Sequence, residues 1–142
     1  MSRSRFAFAA AFLVLAVVPR TADATVVAKI SLSSQKMEVF VDGQRRHVWP
    51  VSTARRGYIT PTGQFRPYFL SKDHRSSLYD DAPMPYAVFF RGNYAIHGTI
   101  ATGHLGRPAS HGCVRLRTAN AAMLYRLVSE RGKDKTKIII GQ

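Results

Sequence analysis

Hydrophobic and polar residues alternate in short runs along most of the chain, which is typical of β-strands rather than of long helices. The first such run covers Thr25 to Ile30. In a second run, Met37, Val39 and Val41 alternate with Glu38 and Phe40, and Asp42-Gly43 then supplies a strong tight-turn signal. The chain returns through a third run from His47 to Val51. We therefore expect a β-hairpin here.

The middle of the chain continues this pattern with more irregularity. Gln64 to Leu70 predicts a further strand, and the polar segment from Ser71 to Pro85 predicts a long surface loop. Two more strand-like runs, Tyr86 to Phe90 and Tyr94 to His97, flank a turn at Gly92-Asn93. They predict a second hairpin whose return strand ends at His97.

The last third of the chain changes character twice. Glycines and a proline between Gly98 and Gly112 indicate an irregular loop. From Thr118 the apolar residues follow a helical period up to Gly132, which is suited to end a helix. Thr136 to Ile140 predicts a final strand. The fold class expected from these elements is mainly β, with one helix in the C-terminal half. The helix positions that share a face are Ala121, Leu124, Tyr125 and Val128.

The N-terminus has the layout of a secretory signal peptide. Arg3 and Arg5 precede an uncharged apolar run from Phe6 to Val18, and Ala22-Asp23-Ala24 offers a cleavage site. The run is short for a membrane span, which takes about 20 apolar residues. We expect residues 1–24 to be removed, leaving one domain over residues 25–142 without a membrane span. An uncleaved anchor is the alternative, and both place the domain outside the cytoplasm.

The charge balance is strongly basic. The chain has 21 Lys and Arg against 8 Asp and Glu, a formal charge of +13. Such a protein is attracted to polyanions. The export signal favours anionic polymers of the cell envelope over nucleic acid as that partner, and a merely solvated basic surface is the alternative.

Cysteine usage points to chemistry at one position. Cys113 is the only cysteine, so the chain forms no internal disulfide. Small exported domains normally pair or avoid cysteines, and a single free thiol therefore suggests a function. The alternative is a buried, inert cysteine packed as a small hydrophobic residue.

The neighbours of Cys113 favour the reactive interpretation. A thiol becomes a nucleophile as the thiolate, which a base or a positive charge promotes. His97 and His111 supply imidazoles, and the Gly98 carbonyl is the nearest group that could hold one ring nitrogen of His97 protonated. We expect a loop between Gly98 and Gly112 to bring Cys113 beside His97.

Two further groups suit acyl transfer. Backbone amides around Gly112 and Cys113 could point at a developing oxyanion, and Arg115 could bind a carboxylate bidentately. A zinc site is the competing chemistry, because His97, His104, His111 and Cys113 are suitable ligand types. Their spacing does not resemble the usual paired ligand clusters, so we expect no metal and no cofactor.

These residues resemble a known family. His97-Gly98, an irregular loop, and then Ser110 to Arg115 (Ser-His-Gly-Cys-Val-Arg) resemble the signature of the L,D-transpeptidase catalytic domain, also called the YkuD domain. Thr60 to Phe65 resembles the family's upstream turn, and Met84-Pro85-Tyr86 its substrate-side segment. Together these motifs span almost the whole of residues 25–142.

The resemblance implies a mostly β, sandwich-like fold and a reaction. The cysteine would attack the bond after the L-centre of diaminopimelate in a wall tetrapeptide, release D-alanine, and pass the acyl group to an amine. A second stem would give a 3→3 cross-link, and an outer-membrane lipoprotein is the other acceptor considered. Reactivity with carbapenems is also implied. The implied catalytic residues are Cys113, His97, Gly98, His111 and Gly112, and the implied substrate-binding residues are Arg115, Ser110, Tyr86 and Met84.

Two alternatives share this sequence. A hydrolase on the same fold would let water replace the acceptor amine, and a non-catalytic wall-binding module would keep only the fold. We recognise no peptidoglycan-binding, LysM or SH3-like module in the sequence, and net basicity is a conceivable substitute for one. Salt-sensitive binding to the wall would test that idea.

Overall fold

The computed structural model describes residues 24–142. The predicted signal peptide falls almost entirely outside this part and stays a prediction. Within it, alternating apolar residues form strands that pack as two sheets over one core. The strands are β1 (Val26–Ser31), β2 (Lys36–Val41), β3 (Gln44–Pro50), β4 (Gly63–Phe65), β5 (Phe69–Arg75), β6 (Pro83–Arg91), β7 (Tyr94–Thr99), β8 (Val114–Arg117) and β9 (Thr136–Gly141).

The strands divide into a five-stranded and a four-stranded sheet. Their orders are β3-β2-β1-β9-β4 and β5-β6-β7-β8. Two neighbouring pairs are parallel, β1 with β9 and β7 with β8, and the others are antiparallel. Parallel neighbours need a long connection. Between β7 and β8 that connection is the glycine-rich loop that leads to Cys113.

The core lies between the inner faces of the two sheets. Because side chains alternate along a strand, every second residue enters it. One α-helix, α1 (Thr118–Arg131), adds its apolar stripe to the same core. Full burial of one Val, Leu, Ile or Met side chain stabilises the fold by about 1.5–3 kcal/mol relative to leaving it exposed. The fully buried members include Ile30, Met37, Val39, Ile96, Val114, Leu116, Leu124 and Ile138.

The helix ends as the sequence predicts. Its buried residues are Ala121, Leu124 and Val128, while Tyr125 is half-buried. Gly132 follows Arg131 with a φ of 103°, a value that favours glycine. No helix within residues 24–142 is long and apolar enough to cross a membrane.

Several predicted elements are confirmed. β2 and β3 form the first hairpin, and Asp42 and Gly43 have φ values of 50° and 79°, as a type I′ turn requires. β6 and β7 form the second hairpin, and β9 is the predicted last strand. The mainly β, sandwich-like architecture with one helix in the described residues is confirmed as well.

Two predictions in the middle of the chain are wrong. The predicted strand from Gln64 to Leu70 is two strands, β4 and β5, in different sheets. Pro67 lies in the break, where it cannot donate to a sheet ladder. The predicted loop from Ser71 to Pro85 is largely strand, and only 76–82 connect β5 to β6. β5 is an edge strand whose residues are mostly polar and exposed. It therefore lacks the apolar alternation from which a strand is predicted.

Candidate active site

The parallel pair β7 and β8 brings the candidate residues together. His97 is opposite Arg115 and Ile96 is opposite Val114. Ile96 and Val114 belong to the core, so His97 and Arg115 occupy the outer face of the four-stranded sheet. Cys113 comes immediately before β8, two positions before Arg115. The thiol packs beside Met84, Ala87, Phe89 and Ala95 on this outer face.

A cleft of about 660 Å³ opens over these residues. Its size suits a small-molecule or peptide site. The β5–β6 connection forms one wall, and the turn between β6 and β7 forms another. Among the predicted site residues, those that line the cleft are Cys113, His97, Gly98, Arg115, His111, Ser110 and Met84.

His97 is held as a neutral base. It is only 6% exposed, and its Nδ1 lies 2.8 Å from the carbonyl oxygen of Gly98. That carbonyl can only accept, so Nδ1 carries the hydrogen and Nε2 keeps its lone pair. Burial lowers the pKa of His97 to about 4, although the Gly98 hydrogen bond opposes the shift, and the charge of Arg115 lowers the pKa further. At neutral pH the imidazole is therefore uncharged, with the lone pair on Nε2 free.

Cys113 is half-buried, and its thiol is held in the protonated form. Its Sγ lies 3.7 Å from the carbonyl oxygen of Asn93, to which the thiol donates. Burial raises the pKa of Cys113, while the backbone N–H of Ala95 and the charge of Arg115 oppose the rise. Burial thus disfavours both the thiolate and the imidazolium. Both side chains are therefore in their neutral forms, a thiol at Cys113 and an uncharged imidazole at His97.

Side-chain hydroxyls fix the turn that presents Cys113. Ser110 Oγ donates to the Cys113 carbonyl at 2.6 Å and accepts from the Gly112 N–H at 3.0 Å. Thr60 Oγ1 donates to the Gly112 carbonyl at 2.8 Å and accepts from the Ala54 N–H at 3.0 Å. Thr60 therefore connects the predicted upstream turn to the turn before Cys113.

The hydrogen bonds in this turn change two expectations. The Gly112 N–H is bonded to Ser110 Oγ, so it does not point freely toward an oxyanion. Ser110 is fully buried, and its hydroxyl orients the turn rather than offering itself to substrate. Gly112 has a steric role instead: its φ is 139°, and an added Cβ would lie 2.6 Å from Tyr94 Cε1 and 2.8 Å from the Ile59 carbonyl oxygen.

The segment 51–55 contacts β8 on the side away from β7. Ser52 and Arg115 exchange two backbone hydrogen bonds, and the Ser110 N–H donates to the Thr53 carbonyl. Gln35 is buried beneath this segment, where its amide donates to Thr53 Oγ1 at 2.6 Å and accepts from the Thr53 N–H at 3.0 Å. Sequence reasoning missed Gln35, Ser52 and Thr53, because nothing local to these residues indicates their partners.

His111 lies at the rim of the cleft. Its ring stacks on Tyr79 at 4.2 Å between centroids and meets the edge of Tyr58 at 4.7 Å. Arg55 Nη2 is 3.0 Å from Nε2, and since a guanidinium only donates, this nitrogen accepts. Loss of solvent and the charges of Arg55 and Arg115 lower the pKa of His111. His111 is thus neutral and anchors the β5–β6 connection through Tyr79.

The two residues expected to bind substrate from the segment Met84-Pro85-Tyr86 lie in different places. Met84 lines the cleft, as expected of a substrate-binding residue. Tyr86 does not line it: the ring packs against the core and contacts Tyr125 at 5.7 Å. Tyr86 faces inward with Val88 and Phe90, and the strand alternation breaks between Tyr86, whose φ is 55°, and the outward-facing Met84. We therefore correct the expectation that Tyr86 binds substrate.

The zinc alternative lacks a ligand set in the described part of the chain. Across residues 24–142, no three His, Cys, Asp or Glu side chains converge as a metal-binding group.

Comparison with known proteins gives one family and many related folds. The family model for the L,D-transpeptidase catalytic domain (YkuD) matches residues 25–140. A curated relative, the probable L,D-transpeptidase YbiS of Escherichia coli K12, is 47% identical over 49 residues. That alignment covers 34% of this chain and 16% of the relative.

Solved structures extend the likeness to almost the whole described fold. An L,D-transpeptidase from Mycobacterium tuberculosis H37Rv superposes with a TM-score of 0.74 at 24% identity, over 83% of this chain and 58% of the other. One from Xylanimonas cellulosilytica gives 0.70 at 28% identity, over 87% and 63%. LdtMt1 in complex with imipenem gives 0.73 at 19% identity, over 82% and 59%. The chain thus spans about three-fifths of these solved proteins.

Proposed function

Because this chain belongs to the L,D-transpeptidase catalytic-domain family, we propose that it is a cysteine acyltransferase acting on peptide stems of the bacterial cell wall. One observation carries the proposal. Cys113, which immediately precedes β8, packs on the outer face of the four-stranded sheet that also carries His97, and both residues line a cleft of about 660 Å³. A nucleophile beside an oriented base in a substrate-sized cleft is the arrangement that acyl transfer needs.

In the first half of the reaction, Cys113 attacks the carbonyl carbon that follows the L-centre of diaminopimelate in a tetrapeptide stem. His97 Nε2 takes the thiol proton as the sulfur–carbon bond forms. The imidazolium then gives this proton to the amine of D-alanine as the carbon–nitrogen bond breaks, leaving a thioester. A group whose pKa is about 4 is a strong proton donor once charged, which favours departure of the amine.

In the second half, an acceptor amine attacks the thioester. His97 removes a proton from the attacking nitrogen, the carbon–sulfur bond breaks, and the proton returns to the sulfur. An amine from a second stem gives a 3→3 cross-link, and an amine from a lipoprotein gives attachment of that protein to the wall. The neutral form of His97 serves both halves, because it accepts a proton at the start of each.

Arg115 is the proposed carboxylate ligand. Its guanidinium is half-buried in the cleft opposite His97, and its charge stabilises a thiolate on Cys113. Planar guanidinium groups bind carboxylates through two parallel hydrogen bonds. A stem peptide held this way would present its scissile bond to the thiol. Met84 supplies an apolar contact beside it.

The reaction is tested with a purified disaccharide-tetrapeptide and mass spectrometry. We expect cross-linked dimers and free D-alanine with the parent protein, and neither with Cys113→Ala. Cys113→Ser is the matched control that keeps the shape of the side chain while weakening the nucleophile. Accumulation of tripeptide monomers alone would mean that water is the acceptor, and unchanged substrate with the parent protein would contradict the proposed function.

Covalent capture of a carbapenem gives an independent measurement. The intact mass of the parent protein should increase by one carbapenem, and Cys113→Ala should show no increase. Labelling that persists in Cys113→Ala would assign the nucleophile elsewhere.

A further inference from the structure

The five-stranded sheet has an outer face that neither the helix nor the other sheet covers. Between the buried residues of β1, β2 and β9, every second side chain points away from the core. This face carries a shallow groove of about 320 Å³, on the opposite side of the sandwich from the cleft. Its lining includes Lys29, Lys36, Arg45, Val48 and Ile139.

Three lysines on this face fall on one line. Strand register puts Lys29 of β1 opposite Ile139 of β9, and Lys137 lies two residues earlier on β9. Lys36 of β2 is opposite Ser31, two residues beyond Lys29. Each step along Lys36, Lys29 and Lys137 therefore crosses one strand and two residues. Sheet geometry makes that step about 8 Å.

The line has little opposing charge. Glu38 is the only acidic residue in the five strands of this sheet. Its carboxylate forms a salt bridge with Arg45 at 3.0 Å, so it is already neutralised. Lys29 is opposite Glu38 in the register, yet neither Lys29 nor the other two lysines forms a salt bridge within residues 24–142. Partly exposed apolar side chains separate the charges: Val27, Phe40, Val48 and Ile139.

We propose that this lysine line, Lys36-Lys29-Lys137, is a docking surface for a carboxylate-bearing wall polymer, the peptide-substituted glycan strand. The proposal rests on the proposed function, which supplies the polymer. Charges about 8 Å apart lie within a Debye length of one another at physiological salt, so their fields add. A row of regularly spaced cations matches repeated carboxylates along an extended polymer better than it matches a single small anion.

The position of the line gives it a use. The line lies on the opposite side of the sandwich from Cys113. A glycan strand bound along the line is therefore not the glycan strand whose peptide stem enters the cleft at the same point. The enzyme would be held on one strand while it reacts with stems of another. Such tethering raises the local concentration of substrate without any new contact in the cleft.

The test measures binding of Cys113→Ala protein to purified sacculi that carry no attached proteins. Lys29→Glu/Lys137→Glu should weaken binding by about tenfold or more, and the parent's binding should weaken as salt rises. Arg117→Glu/Arg126→Glu is the matched control, because it changes the net charge equally at exposed positions elsewhere. It should lose less than about threefold. Lys29→Gln/Lys137→Gln should have an intermediate effect and covers the case in which charge reversal disturbs folding.

Equal losses in the two charge-reversed variants would overturn the proposal, since net charge alone would then explain binding. Binding to a phosphate polymer such as polyphosphate, without binding to sacculi, would also overturn it. These failures are separate from failure of the proposed function. A parent protein that still cross-links soluble stems would keep the function while losing the docking surface.

Discussion

The two outer faces of the sandwich differ in how far their titratable and charged side chains are exposed to solvent. On the four-stranded sheet, His97 is buried, and Cys113 and Arg115 are half-buried beside it. On the five-stranded sheet, Lys29 and Lys36 extend into solvent. Desolvation on the four-stranded sheet shifts the pKa values of His97 and Cys113 in the directions that favour their neutral forms. Exposed cations act over longer distances, and salt screens them. One fold therefore offers a chemical face and an electrostatic face.

The largest expected effect is on the chemical face. His97→Gln keeps a donor for the Gly98 carbonyl but removes the proton acceptor. We expect kcat/KM for tetrapeptide, or the rate of carbapenem acylation, to fall by about 10²- to 10⁴-fold. His74→Gln is the matched control, because His74 also lines the cleft but packs against Phe89. An equal loss in both variants would contradict a proton-transfer role for His97.

The second effect is a pH dependence of stability that only the chemical face should show. The pKa of His97 is about 4 in the folded protein against 6.5 ordinarily, so between these values the unfolded chain binds more protons. The free energy of unfolding should therefore rise with pH across this window, by up to about 3 kcal/mol from this group. This contribution of His97 to the free energy of unfolding is fully present above pH 6.5 and is lost as the pH falls through 4.

Denaturant midpoints measured from pH 4 to 7.5 test this sign. His97→Gln should flatten the dependence, and His47→Gln, on the other sheet, is the comparison. If the stability of His97→Gln changed with pH as steeply as that of the parent, groups other than His97 would set the pH dependence.

The third effect concerns support beneath the chemical face. Thr60→Val keeps the shape of the side chain but removes hydrogen bonds to Gly112 and Ala54. Leaving these buried groups unsatisfied should cost about 1–3 kcal/mol of unfolding free energy. Because the Cys113 turn loosens, we also expect kcat to fall more than KM changes. Thr62→Val, at an exposed position, is the control. A Thr60→Val enzyme with the parent's kcat would limit Thr60 to a structural role.

The sequence predicted those features of the chemical face that a local pattern encodes. The run from Ser110 to Arg115 predicted that Cys113 and Arg115 share a site with His97, and the hairpin ending near His97 was visible from alternation. The outward direction of Met84 was not, because the alternation that Tyr86 shares with Val88 and Phe90 breaks where Tyr86 has a φ of 55°. The support from Gln35 and Thr60 was also hidden: their partners Thr53 and Gly112 are 18 and 52 residues away. Long-range hydrogen bonds leave no periodic signal.

The lysine line shows the same limit on the electrostatic face. Net charge was readable from composition, but its placement depends on register between β1, β2 and β9. Lys29, Lys36 and Lys137 come from distant parts of the chain, and only the parallel β1–β9 pairing aligns the last of them. Composition predicted attraction to polyanions, and topology supplied a surface for it.

The smallest expected effect sharpens the contrast between the faces. Lys29→Gln removes a charge from an exposed position whose opposite residue, Glu38, is already paired with Arg45. Substitutions at such positions usually change stability by less than about 0.5 kcal/mol. We therefore expect the denaturant midpoint at pH 7.5 to match that of the parent, while sacculus binding weakens. Glu38→Gln is the control, since it removes the Arg45 salt bridge instead. A loss above about 1 kcal/mol for Lys29→Gln would make Lys29 a structural residue of the sheet, and the division between a chemical and an electrostatic face would no longer hold there.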